Sequence, residues 1–136
     1  MNVNLAQETK FKLLNYEKAL QSLEEALSTP VLSNRDRAGI IQNFEFVYET
    51  CWKALKAFLS YEGKDVKTPR EAFSESYASG FLKNEEVWLA ILKDRNLTVQ
   101  TYDQEMSRKI FDSIVNSYAP VFRETFDFLN ARAKQP

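Results

Sequence analysis

The stretch RNLTVQTYD, Arg95 to Asp103, gathers residue types that bind anions and exchange hydrogen bonds. Arg95 offers a planar guanidinium fork suited to phosphate or carboxylate. Asn96 and Gln100 add amide donors and acceptors, and Tyr102 adds a phenol. The segment lies where one helical pattern stops and another starts, so the free N–H groups of the second helix would also favour an anion. The chain has no histidine, which removes the commonest acid/base for neutral pH. Arg95, Asn96 and Gln100 are thus the candidates for catalysis, with no obvious proton-transfer group among them. The plainer alternative makes Arg95 a cation closing the preceding helix and Gln100 a loop residue.

A second constellation lies upstream. Glu45 and Glu49 stand one helical turn apart, with Lys53 one turn further on. Paired carboxylates can hold a metal or act as acid and base, but Glu49 and Lys53 have the favoured orientation for a surface ion pair. A solvated face is the reading preferred for them. Arg37 stands at the head of the same helix's apolar stripe, where a charge calls for a partner. Gly39 costs that helix about 1 kcal/mol relative to alanine, which suggests close backbone approach within a bundle or across a subunit interface. Tyr48, Phe58, Tyr61, Trp52, Trp88 and Phe111 recur at helical spacing and read as core. Cys51 reads as a small buried hydrophobe. No metal site is assigned, and neither a Gly-rich phosphate loop nor a Ser/His/Asp set is present.

Helices must position these groups. The first is expected from about Leu5 to Ser28, closed by Pro30. Ser33 or Asn34 then caps a second, long helix whose stripe of Arg37, Ile41, Phe44, Tyr48, Trp52, Leu55 and Leu59 runs to Gly63, about 42 Å. Thr68, Pro69 and Glu71 make a capping box for a short third helix ending at Gly80. Asn84, Glu85 and Glu86 open a fourth that ends near Arg95. Thr98 and Val99, both β-branched, occupy the break. Thr101 and Gln104 form the capping box of the last helix, which places Tyr102 at its first position and Asp103 in its first turn. Pro120 falls inside that helix and predicts a kink or restart near Ser117 to Ala119. No segment alternates with period two for long enough to make a sheet. The expectation is one all-α domain over residues 1–136, an antiparallel up-and-down bundle of three long and two short helices.

Composition sets the outer limits. Eighteen basic against 19 acidic residues, pI about 5.6, argue against a dedicated nucleic-acid binder. One cysteine allows no intramolecular disulfide and fits a reducing cytoplasm. No signal-peptide pattern and no run of about 18 apolar residues is present, so no membrane is expected.

Three segments, RAGIIQNFEFVYETCWKALKAFLSYEG, TPREAFSESYASGFL and VWLAILKDRNLTVQTYD, resemble the HEPN-type family of nucleotidyltransferase substrate-binding proteins. The resemblance runs from roughly Arg35 to Tyr118, on the signatures R-x3-I-x2-FE-x2-YE-x2-WK and W-x6-RN-x5-Y. It implies a helical bundle that dimerises and associates with a separate minimal nucleotidyltransferase, which would bring ATP and Mg²⁺; no cofactor is implied for this chain. It also implies kinship with the ribonuclease toxins of toxin–antitoxin pairs, whose active site combines an arginine and a histidine across the dimer. The arginine falls on Arg95, its polar neighbour on Asn96 and the tyrosine on Tyr102, whereas the histidine position holds Gln100. In toxin–antitoxin members the partner adds AMP to that tyrosine, so Tyr102 is the candidate acceptor.

The expectation is a homodimeric, cytoplasmic partner or substrate-binding subunit for a nucleotidyltransferase. Arg95, Asn96 and Tyr102 would form a polar pocket for RNA or a nucleotide, with Arg37, Glu45 and Glu49 nearby. The alternatives are a HEPN ribonuclease toxin, against which Gln100 counts, and a helical module that only makes protein contacts.

Overall fold

The structure is a computed structural model that describes the backbone of residues 3–100 and 103–134, and the side chains of 6–98 and 103–134. Helices α1 (Val3–Leu27), α2 (Asn34–Tyr61), α3 (Pro69–Ala78), α4 (Glu85–Gln100), α5 (Gln104–Ser113) and α6 (Ala119–Ala133) follow in order, with a π-helical turn, Ile114–Tyr118, joining the last two. The described residues contain no strand.

Local chemistry sets most boundaries. The Ser33 hydroxyl accepts from the Asp36 amide, and the Asp36 carboxylate accepts from the Leu32 amide, which fixes the start of α2. Its end needs a left-handed residue, supplied by Gly63 at φ +83°; the Lys64 amide then returns to the Leu59 carbonyl at 2.8 Å. Gly80 does the same for α3 at φ +82°. Thr68 caps α3 as expected, but the Glu71 carboxylate reaches back to the Lys67 amide, one residue earlier than a strict capping box. No close approach is seen at Gly39: among the described residues, a Cβ there would meet nothing within 4 Å outside its own helical backbone.

Two boundaries differ from the sequence expectation. Helix α4 does not end near Arg95 but continues to Gln100, because Thr98 and Val99 each cost only a few tenths of a kcal/mol. The Thr98 hydroxyl is absorbed into the helix, donating to the Arg95 carbonyl at 2.8 Å. Helix α5 is capped by Asp103 rather than Thr101. One carboxylate oxygen of Asp103 accepts from both the Glu105 and Met106 amides, at 2.8 and 3.3 Å, where a threonine hydroxyl caps less strongly. The cap therefore falls after position 102, not before it as the sequence led one to expect.

The kink expected from Pro120 appears as the π turn. The Ala119 amide bonds to the Ile114 carbonyl, five residues back, and the widened turn accommodates a proline ring that has no N–H to give. The pairs α1–α2, α1–α6 and α2–α4 run antiparallel. Thr9 of α1 meets Ala57 of α2, Arg95 of α4 meets Glu45 and Glu49, Tyr118 meets Asp94, and Arg123 of α6 meets Glu24 of α1. The core between them holds Tyr16, Leu20, Phe44, Leu55, Ile91 and Phe122, none with any exposed surface. The Tyr16 hydroxyl within it donates to the Phe122 carbonyl at 2.6 Å.

Candidate functional site

The carboxylates of Glu45 and Glu49 face α4 and hold Arg95 between them. Arg95 Nη1 lies 3.6 Å from Glu45 Oε2, and Nη2 lies 3.8 Å from Glu49 Oε1. Tyr48, between the two glutamates in sequence, places its ring 5.5 Å from the guanidinium carbon. Trp52 donates its indole N–H to Glu49 Oε2 at 3.2 Å, and Lys53 approaches the same oxygen at 3.9 Å. The solvated face expected for these glutamates is thus overturned in part. The Glu49–Lys53 pair forms, but both carboxylates also face the guanidinium, whose side chain keeps 20% exposure. Nor does Arg95 close its helix, since α4 runs on past it.

Geometry decides what this arrangement can do. Both Arg95 pairs are longer than a hydrogen bond, so the guanidinium is oriented by charge and by the Tyr48 ring without its donors being consumed. Two carboxylates already balance the guanidinium charge, so a phosphate would have to displace at least one of them to take these donors. Tyr48 itself stays protonated: burial first, and Glu49 next, push its hydroxyl up to about 12. One position before the arginine, Asp94 accepts from the Tyr118 hydroxyl at 2.5 Å, and the Tyr118 ring stacks on Phe44 at 5.6 Å. This pair ties α4 to the π turn and so sets the height of Arg95 against α2.

The remaining expected residues divide. Asn96 follows Arg95 and is exposed. Arg37 is not part of the cluster. It donates to the Asn34 side chain at 2.8 Å, two helical turns above Glu45, because the start of α2 offers it a nearer acceptor. The side chain of Gln100, and Thr101 and Tyr102 entirely, lie outside the described residues. The start of α5 does not serve an anion as expected, since the Asp103 carboxylate already occupies two of its amides. A crevice of about 100 Å³ lined by Ala38, Ile41, Glu45, Thr98, Asp103 and Met106 links the arginine cluster to the residues beside Tyr102.

Sequence reading missed Tyr48, Trp52, Asp94 and Tyr118 as members of the site. Tyr48 and Trp52 carried a signal, since they share a helical face with Glu45 and Glu49. Asp94 and Tyr118 carried none, because their pairing depends on how α4 packs against the π turn.

The sequence profile of nucleotidyltransferase substrate-binding protein-like proteins matches residues 11–131, from α1 into α6. The chain belongs to that family. A relative from Haemophilus influenzae, named probable ribonuclease HepT, is 32% identical over 82 residues. That match spans 57% of this chain and 56% of the relative, so the chain spans little more than half the length of this curated family relative. A crystal structure of a Thermus thermophilus protein superposes with a TM-score of 0.73 at 30% identity, covering 88% of this chain and 99% of the other. The helical fold seen here is therefore shared with that solved structure. No described helix is long and apolar enough to cross a membrane.

Proposed function

We propose that this chain is the helical partner and substrate-binding subunit of a separate minimal nucleotidyltransferase, acting as a homodimer in the cytoplasm. Family membership supplies the kind of partner. The observation that carries the reading is Arg95, held by two carboxylates and a ring yet with donors that a displacing phosphate could take, beside the segment that bears Tyr102. For the dimer, the support is the outward face of α2, where Phe46 is 61% exposed and Gly39 leaves open space.

Tyr102 is the proposed acceptor. The partner would bring ATP and Mg²⁺. The Tyr102 oxygen would attack the α-phosphorus, forming the O–P bond as the bond to pyrophosphate breaks, and the phenolic proton would pass to solvent or a base of the partner. Arg95 would meet the incoming phosphate. Asn96 and Gln100 would add polar contacts to the nucleotide or RNA. We expect mass spectrometry of the chain co-expressed with its nucleotidyltransferase to find one AMP, lost in Tyr102→Phe. An unmodified Tyr102 in an intact complex would leave a binding subunit and remove the acceptor role.

The name of the Haemophilus relative favours a second reading, a ribonuclease. Gln100 opposes it, because an amide cannot exchange a proton near neutral pH, and general acid/base assistance contributes about 10²- to 10⁴-fold. Total RNA incubated with the purified chain is expected to stay intact. Cleavage abolished by Arg95→Ala would establish the ribonuclease instead.

A further inference from the structure

Helices α3 and α4 enclose a second cleft, of about 300 Å³, on the far side of Tyr48 from the glutamates. Its wall is aromatic and aliphatic: Phe73 and Trp88 pack at 5.1 Å between ring centroids, with Leu92 beside them and Tyr77 and Leu89 half exposed at the rim. Phe73 also meets Tyr48 edge-on at 5.7 Å, so the cleft and Arg95 share one continuous aromatic wall. Two charges line it, Arg70 and Glu85, and neither has an ion-pair partner among the described residues.

We propose that this cleft is a binding site for a planar aromatic group carrying a terminal anion, the chemistry of a nucleoside monophosphate. The ring would lie against Tyr77 and Leu89, over the buried edges of Phe73 and Trp88. Arg70 would take the phosphate through its fork, and Glu85 would accept from an exocyclic amino group. The volume, at the low end for small-molecule sites, suits one fused ring system and leaves the ribose phosphate at the rim. Every element needed lies on α3 and α4, so the site stands whether or not the chain binds a nucleotidyltransferase.

Calorimetric titration of the whole chain with AMP, adenosine and ribose 5-phosphate tests it. AMP should bind saturably, and each half-ligand at least tenfold more weakly. Arg70→Ala, an exposed substitution that leaves the core alone, should weaken AMP about tenfold and leave adenosine unchanged. Glu85→Gln should weaken AMP relative to inosine monophosphate, which lacks the amino group. No saturable AMP binding at millimolar concentration, or AMP binding indifferent to Arg70→Ala, would overturn the assignment. Co-purification with a nucleotidyltransferase reads the partner proposal separately, so the two can fail independently.

Discussion

At the scale of single residues, four buried groups share one property: the fold favours their neutral forms. Burial is the main cause in each case. It pushes the Cys51 thiol up to about 12 from an ordinary 9.0 and the Tyr48 phenol to about 12 from 10.0. It also raises the Tyr16 and Tyr118 hydroxyls well above their usual range, helped at Tyr118 by the Asp94 carboxylate. The folded chain therefore keeps protons that the unfolded chain releases, and the stability this provides is complete below the unfolded values. We expect the urea midpoint to hold up to about pH 9 and then fall as pH rises toward 12, the range set by Cys51 and Tyr48. A midpoint unchanged to pH 11 would show that these groups ionise in place. Arg95, Asn96 and Tyr102 were legible as candidates because their types and order are visible in one short segment. The clamp on Arg95 was not, because a glutamate pair at i,i+4 looks the same whether it faces water or another helix.

At the scale of elements, the junction between α4 and the π turn positions the arginine. The Asp94–Tyr118 hydrogen bond joins a carboxylate to a phenol, and Phe44 stacks on the same ring from α2. Tyr118→Phe keeps the stack and deletes the bond, and should cost about 1.5–3 kcal/mol, as hydrogen bonds to charged groups do. Denaturant unfolding checks this, and a change within error would mean the contact contributes nothing. Helix ends in the sequence were readable where a cap and a glycine or proline agree, as at Ser33 with Gly63 and at Thr68 with Gly80. They misled at α4 and α5. There a weak signal, two β-branched residues, competed with helix propagation, and the cap fell on Asp103, two residues past the Thr101 expected from the sequence. Pro120 announced an interruption but not its form, since the choice between a kink and a π turn depends on what the neighbouring helices leave room for.

At the scale of the whole molecule, the antiparallel bundle followed from the periodicity and short connections, and family membership from the order of its signatures. Assembly did not. A formal charge of −1 gives no broad attraction to nucleic acid, so net charge does not choose the partner. The proposed contacts with other proteins fall on the outward face of α2 and the Arg95 cluster. The proposed role as a nucleotidyltransferase's partner is tested most directly by purifying the tagged chain from its own cells and identifying what comes with it. The expected result is a small nucleotidyltransferase in stoichiometric amount, in an assembly whose light-scattering mass contains two copies of this chain. A chain that purifies alone, or only with unrelated proteins, would contradict the account.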